Sequence, residues 1–239
     1  MEIISRIADL RERLHGEPSI ALVPTMGNLH AGHLDLVRIA RARGHCVVVS
    51  IFVNPLQFGP GEDFAVYPRT PDADCAALIE RGVDVAFLPT VAVMYPAGVP
   101  GAVRVEVGGP LTTGLCGASR PGHFGGVATV VTKLFNLVQP DIAVFGEKDY
   151  QQLAVIRALA RELAMPIDIV GVATRREADG LALSSRNQYL DPEQRAKAPL
   201  IHAVLSDSAA ALMAGARDHA AIEARATARL AAAGFSVEY

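Results

Sequence analysis

The chain has 239 residues, 51% of them apolar, with 21 glycines, 15 prolines and no tryptophan, which excludes a disordered or collagen-like polymer. Lys and Arg total 22 against 25 Asp and Glu, a net charge of −3; without a basic field no nucleic-acid partner is expected, and any phosphate must be held locally. Three widely spaced cysteines, Cys46, Cys75 and Cys116, form no C-x-x-C pair, which argues against a disulfide framework or structural zinc and fits a reducing cytoplasm.

The N-terminal stretch MEIISRIADLRERLHG has apolar and charged residues at helical spacing and carries Glu2 and Asp9, so it lacks the uncharged core of a signal peptide. Ile20 to Pro24 reads as a strand, followed by a glycine-containing turn and a helix whose apolar positions Leu34, Leu36, Val37, Ile39 and Ala40 recur up to Gly44. Cys46 to Val53 (CVVVSIFV) is apolar but for one serine, as in a strand covered on both faces, and is far short of the roughly 20 residues of a membrane span. No membrane partner is expected. Thr70-Pro71-Asp72 opens a helix to Gly82 that leads to a strand at Val83 to Leu88, and another strand is predicted at Val103 to Val107. A helix from Gly125 to Val138, a strand from Ile142 to Phe145, a helix from Tyr150 to Leu163 and a strand from Ile167 to Val172 follow. The polar segment Thr174 to Asn187 then leads to alanine-rich helices predicted at Asp191 to Met213 and Arg217 to Ala233. Strands alternating with helices predict an α/β doubly wound parallel sheet, with a smaller second unit from about residue 188.

Four segments carry chemistry. Pro24 to His33 (PTMGNLHAGH) lies between the first predicted strand and helix of the sheet, where ligands of such sheets bind. Gly27 and Gly32 allow close backbone approach, the helix start offers free N–H groups, and His30 and His33 can donate to phosphoryl oxygen as negative charge grows there. The alternatives are a capped helix with locally satisfied histidines, and a zinc site completed by His45 or Cys46. In the second segment, Asn54 and Gln57 (FVNPLQFG) both donate and accept, which suits recognition of hydroxyls and a carboxylate; turn chemistry would equally explain Asn54. Tyr67-Pro68-Arg69 either walls the pocket or leads rigidly into the next helix. In the third, Gly146-Glu147-Lys148-Asp149, Lys148 is one of three lysines in the chain and supplies a point charge for phosphates. Gln152 either meets substrate or completes a capping box with Asp149. The fourth, Leu183-Ser184-Ser185-Arg186, pairs two hydroxyls with an arginine and either clamps a polyphosphate or forms a surface turn. Arg120-Pro121-Gly122-His123 adds a cation and an imidazole.

Taken together, VPTMGNLHAGH, SIFVNPLQFG, YPRTPDAD, RPGHFGGVATVV, LFNLVQPDIAVFGEKDYQQL and ADGLALSSRNQYL, in order between Ala21 and about Arg195, resemble the pantoate–β-alanine ligases of the nucleotidyltransferase superfamily with an H-x-G-H motif. The resemblance implies a Rossmann-like domain over 1–173, a hinge and phosphate-clamping loop over 174–187, and a C-terminal α+β lid beginning at 188. On this resemblance further strands of the lid would be expected beyond Tyr239. The implied reaction uses ATP with Mg2+: pantoate forms an adenylate, pyrophosphate leaves, and the amine of β-alanine displaces AMP. Met26, Gly27, Asn28, Leu29, His30, Ala31, Gly32 and His33 would form the first ATP loop, with His30 and His33 acting on the phosphates and His33 the stronger candidate as proton donor. Gly146, Glu147, Lys148 and Asp149 would bind nucleotide, Lys148 on phosphate and Asp149 on ribose. Arg175 would meet adenine through its backbone, and Leu183, Ser184, Ser185 and Arg186 would close over the triphosphate, Arg186 joining His30, His33 and Lys148 as catalytic. Gln57 and Gln152 would hold pantoate, with Asn54, Tyr67, Arg120 and His123 lining the substrate pocket; no dedicated metal ligand is implied, and the family is usually a homodimer. The chain departs from the family at Cys116, where a glutamate is usual, and at Ala173 and Arg175. A non-catalytic nucleotide binder, a zinc hydrolase and a nucleotidyltransferase with another acceptor remain as alternatives.

Overall fold

The structure, a computed structural model, describes residues 1–239 and divides into two compact units, Met1–Ala173 and Thr174–Tyr239. The first begins with β1 (Glu2–Ile4), α1 (Ile7–Leu14), β2 (Ile20–Thr25), α2 (Ala31–Arg41) and β3 (Cys46–Ile51). It continues with α3 (Pro71–Glu80), β4 (Val85–Phe87), α4 (Val91–Met94), α5 (Pro110–Thr113) and α6 (Cys116–Ser119). The central helix α7 (His123–Val138), β5 (Ile142–Gly146), α8 (Tyr150–Glu162) and β6 (Asp168–Val172) complete it.

All six strands lie in one parallel sheet of order β1-β4-β3-β2-β5-β6, the α/β architecture expected from the alternating pattern. Because side chains alternate across a strand, each strand feeds two cores. Leu22, Val48, Val85 and Phe145 pack on one face with α1, α7 and α8, while Ala21, Val23, Val47, Val49 and Val144 pack on the other with α2 and α3. This double covering explains why β3 is apolar but for the buried Ser50.

From β2 the chain builds outward through β3 and β4 on one side, then returns to place β5 and β6 on the other. The switch point therefore lies between β2 and β5, where Ala21 pairs with Ile142 and Leu22 with Ala143, and no further. Pro24 accounts for the limit. Ile20 O accepts from Asp141 N on the β5 side and Thr25 O accepts from Phe52 N on the β3 side. By alternation Pro24 faces β5, and it has no N–H to offer. Beyond Leu22 the two strands part, while β2 stays paired with β3 to Thr25 and β5 with β6 to Gly146.

Three predicted elements differ. The N-terminal stretch is not helical throughout: Glu2–Ile4 is an edge strand on β4, too short to show a period. Val103 to Val107 has an alternating pattern but joins no sheet. It runs extended beside α7, where the Thr129 hydroxyl accepts from Val105 N at 2.9 Å, leaving Val103 87% exposed. The predicted helix from Asp191 to Met213 is broken at Pro199, which separates two shorter helices.

The second unit consists of a short hairpin closed by the Arg176–Ala182 bridge, a 3-10 turn at Ser185–Tyr189, and helices α9 (Pro192–Lys197), α10 (Leu200–Met213) and α11 (His219–Ala232). An Asp179–Arg195 ion pair at 2.6 Å ties hairpin to α9.

Candidate active site

Three loops leave the carboxyl ends of β2, β3 and β5 around the parted strands. The first, Met26 to His30, turns through left-handed backbone at Gly27 (φ 83°) and Asn28 (φ 51°). This turn is pinned from α3: the Asp74 carboxylate, 2% exposed, accepts from Asn28 N at 2.9 Å, Leu29 N at 2.7 Å and the Thr70 hydroxyl at 3.2 Å. A side chain at Gly27 would come within 3.0 Å of both Asp74 and Ile51. Thr70, predicted as a helix cap, makes no cap hydrogen bond and supports Asp74 instead.

At the start of α2 the histidines cap the helix reciprocally. His30 Nδ1 accepts from Gly32 N at 3.1 Å, and His33 Nδ1 accepts from His30 N at 3.2 Å. The imidazoles and the His30 carbonyl thus take the N–H groups of His30, Gly32, His33 and Leu34, which corrects for those residues the expectation of free N–H groups at this helix start. A backbone N–H can only donate, so both Nδ1 atoms are unprotonated and each neutral ring carries its proton on Nε2. The rings lie 4.1 Å apart. Burial, His30 and Lys148 push His33 down to about 3, while burial and Lys148 lower His30. Both are therefore neutral at pH 7, and each presents an Nε2–H. Lys148 leaves β5 in the third loop, close enough for its charge to act on both rings.

In the second loop, Asn54 is 1% exposed and fully engaged. Its Oδ1 accepts from Leu56 N at 3.3 Å and the Tyr95 hydroxyl at 2.7 Å. Its Nδ2 donates to Gly126 O at 3.1 Å and Gln57 Oε1 at 3.2 Å. With all four hydrogen-bonding positions used, Asn54 does not meet substrate as expected; it positions Gln57. The Gln57 amide reaches from there to Met26 Sδ at 3.2 Å, joining the first and second loops. Gly126 of α7 lies directly beneath, where a Cβ would stand 2.2 Å from Leu56 O.

A cavity of about 300 Å3 opens beside Gln57, lined by Phe58, Glu62, Arg104, Arg120 and His123 among others. Arg120 pairs with Glu62 at 2.5 Å and donates to Gln57 O at 3.2 Å, and its guanidinium holds the Glu62 carboxyl below the usual carboxylate range. The same carbonyl accepts from His123 Nδ1 at 2.8 Å, so His123 Nε2 accepts from Arg120 at 3.2 Å. Burial lowers His123 and leaves it neutral. Tyr67 is buried edge-on to Phe58.

Gly146 ends β5, and Glu147, Lys148 and Asp149 form a 3-10 turn that leads into α8. Asp149 sits at the helix cap but makes no side-chain cap bond, lying 3.4 Å from Lys148 Nζ. The predicted capping box with Gln152 does not form, and Gln152 is half-buried. Its neighbour Gln151 is the engaged one, bonding Cys116 N, Leu111 O and Gly114 O. In the second unit, Leu183 N donates to Arg175 O at 2.9 Å, and Ser184 Oγ accepts from Arg186 N at 3.3 Å as the cap of the following 3-10 turn. The turn reading of Ser184 therefore holds, and Arg175 and Leu183 are neighbours. No three His, Cys, Asp or Glu side chains gather as metal ligands. No helix is long and apolar enough to cross a membrane.

Glu62 and Tyr95 lie in none of the segments singled out from the sequence, and Asp74 and Gly126 stand in two of them without an assigned role. Asp74 carries a faint signal, a second acid inside a first helical turn already supplied with Asp72.

A six-stranded parallel sheet with an imidazole-bearing loop at its switch point defines an α/β enzyme of the nucleotide-binding, doubly wound class. A family model for pantoate–β-alanine ligase matches residues 2–239. The pantothenate synthetase of Azotobacter vinelandii is 59% identical over 98% of this chain and 82% of its own length, and that of Thiobacillus denitrificans 55% over 100% and 84%. A crystal structure of the Thermus thermophilus pantothenate synthetase superposes with a TM-score of 0.95 at 52% identity, covering 100% of this chain and 86% of that one. A pantoate–β-alanine ligase from Francisella tularensis, complexed with β,γ-ATP and β-alanine, gives 0.81 at 37% identity over 86% and 79%. The chain belongs to the pantoate–β-alanine ligase family.

Proposed function

We propose that this chain condenses pantoate with β-alanine through a pantoyl adenylate. The pantoate carboxylate attacks the α-phosphorus of ATP and pyrophosphate leaves; the β-alanine amine then attacks the acyl carbon, and AMP departs with the carboxylate oxygen. The observation that carries the reading is the tautomeric state of His30 and His33, each neutral with Nε2–H unspent at the switch point. Two such donors, fixed by backbone and adding no charge of their own, suit phosphoryl oxygens on which charge grows. Lys148 supplies the point charge and Asp149 the ribose contact. Gln57 and Gln152 hold pantoate, and the Arg120–Glu62–His123 cluster keeps the Gln57 backbone in place beside the cavity that receives substrate. The same reading gives Arg175, Leu183, Ser184, Ser185 and Arg186 of the second unit a role toward the nucleotide.

Mg2+ favours carboxylate and phosphate oxygens and keeps much of its water. On this reading Mg2+ would enter with ATP, its affinity for phosphate oxygens supplying charge neutralisation there. The working assembly is a homodimer, in keeping with the family resemblance and with exposed Val103, Leu115 and Tyr150 on the first unit. Light scattering of the purified chain tests this, a monomer mass counting against it.

The test of the main reading is pyrophosphate release from Mg-ATP with pantoate present and β-alanine absent. Pantoate-dependent release, lost in His33→Ala, is expected; release that ignores pantoate would point to another acceptor. Turnover without ATP would reject adenylation altogether.

A further inference from the structure

Residues 109–119 form a strap that carries α5 and α6 and ends at Arg120 in the cavity wall, and burial does little to hold it. Neither short helix has a buried residue, and Leu111 and Leu115 are exposed. Where apolar burial is thin, position rests on hydrogen bonds. Several of these close the strap on itself: Thr112 N donates to Gly109 O at 3.1 Å, Gly117 N to Gly114 O at 2.9 Å and Arg120 N to Cys116 O at 2.9 Å. From outside it, Gln151 reaches in from the first turn of α8. Its Nε2 donates to Leu111 O at 3.0 Å and Gly114 O at 2.8 Å, and its Oε1 accepts from Cys116 N at 3.0 Å. Carbonyls only accept and a backbone N–H only donates, so the amide has one orientation and keeps no N–H for a substrate.

Two of these bonds fall on either side of an unfavourable backbone. Gly114 to Gly117 is a four-residue turn in which Leu115 stands at φ 51°, ψ −130°. That is the first corner of a type II′ turn, a conformation that glycine adopts freely and leucine resists. Such backbone persists where its surroundings enforce it. Here Gln151 grips both sides: Gly114 O belongs to the peptide group before Leu115 and Cys116 N to the one after it. The two short helices also move as one piece, because they meet backbone to backbone, a Cβ at Gly117 standing 2.1 Å from Thr112 O. Arg120, which ends α6, then spends its guanidinium on Glu62 and on the Gln57 carbonyl at the cavity.

We propose that Gln151 is a positioning residue: by holding both peptide groups that flank the strained Leu115, it latches residues 109–119 to α8 and thereby fixes Arg120 in the cavity wall. Without the latch the turn relaxes, α5 and α6 swing with it, and the cavity loses its shape. The functional half rests on the reading above, in which pantoate enters that cavity; the latch itself does not.

Both halves are tested on the full chain. Hydrogen exchange followed by NMR reads the latch with no substrate present. In Gln151→Met, which keeps the side-chain length and removes its hydrogen bonds, the amides of Cys116 and Gly117 should exchange about tenfold faster or more, while those of β3 and α7 keep their wild-type rates. A double-mutant cycle reads the strain: in a Leu115→Gly background the turn needs no enforcement, so the same change should speed Gly117 exchange by less than about threefold. Unchanged exchange in Gln151→Met, or equal acceleration in both backgrounds, would overturn the latch. Calorimetric titration reads the consequence. Gln151→Met and Gln151→Glu, whose carboxylate would face two carbonyls, should each weaken pantoate by about tenfold while Mg-ATP stays within about twofold. Unchanged pantoate affinity over a loosened strap would overturn the positioning role, and equal losses for both ligands would trace the defect to the start of α8 and reject it as well. A wild-type chain that binds no pantoate would remove the functional reading, with the exchange rates still deciding the latch.

Discussion

Two histidine environments border the same crevice and reach opposite outcomes. At the start of α2, Nδ1 of His30 and of His33 lies against a backbone N–H, so each ring is an acceptor inward and keeps its proton outward on Nε2. At the start of α7, Nδ1 of His123 lies against a backbone carbonyl, so the proton points inward and Nε2 accepts from Arg120. All three are neutral because burial lowers them. What separates a ligand-facing donor from a structural strut is the backbone group against one nitrogen.

The sharpest way to break this contrast is His33→Ala. It removes one outward donor and the cap on His30 N, and pantoate-dependent pyrophosphate release should fall by roughly 10²–10³-fold, the scale of a lost oxyanion donor. A loss below tenfold would return His33 to a capping role. Next comes Asp74→Ala, which strips three hydrogen bonds from the turn that sets up His30. Bonds to a charged acceptor are worth about 1.5–3 kcal/mol each but add incompletely, so ATP affinity should drop at least tenfold and unfolding free energy by about 3 kcal/mol. Asp74→Asn should fall between, because it keeps one acceptor for two N–H groups.

A third test uses pH. An unfolded histidine binds its proton below about 6.5, whereas folded His33 resists until about 3. Between those values the unfolded chain binds more protons, so stability declines as pH falls from 6.5 toward 3 and is level above that window. Chemical denaturation at pH 5 and 7.5 should show this decline, and His33→Gln should make it shallower, with His30 and His123, also lowered by burial, leaving a residual slope of the same sign. The smallest effect is expected for His123→Gln. Gln can still donate to the Gln57 carbonyl, and no ligand-facing donor is lost, so activity should stay within about tenfold of wild type. A loss as large as that of His33→Ala would erase the distinction between the two environments.

Much of the fold is legible because burial on both faces of a parallel sheet leaves long apolar runs such as β3, while glycine, proline and first-turn acids mark the crossings. Val103 to Val107 misleads for a physical reason. Its alternation is that of a half-buried extended segment, and whether such a segment joins a ladder depends on where its N–H groups go. Here Thr129, on a helix far along the chain, takes one of them. The site divides in the same way. His30, His33, Lys148 and Gln57 can be picked out by residue type and place in a strand-loop-helix pattern. The engagement of Asn54 cannot, because its partners Tyr95 and Gly126 come from distant elements. Asp74 looks like ordinary helix chemistry until the β2 loop is seen folded over it.

Pro24 has a consequence for the thermodynamics of ligand entry. Because the strand pair ends after Leu22 and Ala143, the gap beside Pro24 exists before any ligand arrives. Separating strands would otherwise mean breaking ladder bonds worth about 0.5–1.5 kcal/mol each, a cost subtracted from affinity. A ring that has no hydrogen to give makes the crevice preorganised: its opening is part of folding, and a ligand's binding free energy is left intact for contacts with the loops around it.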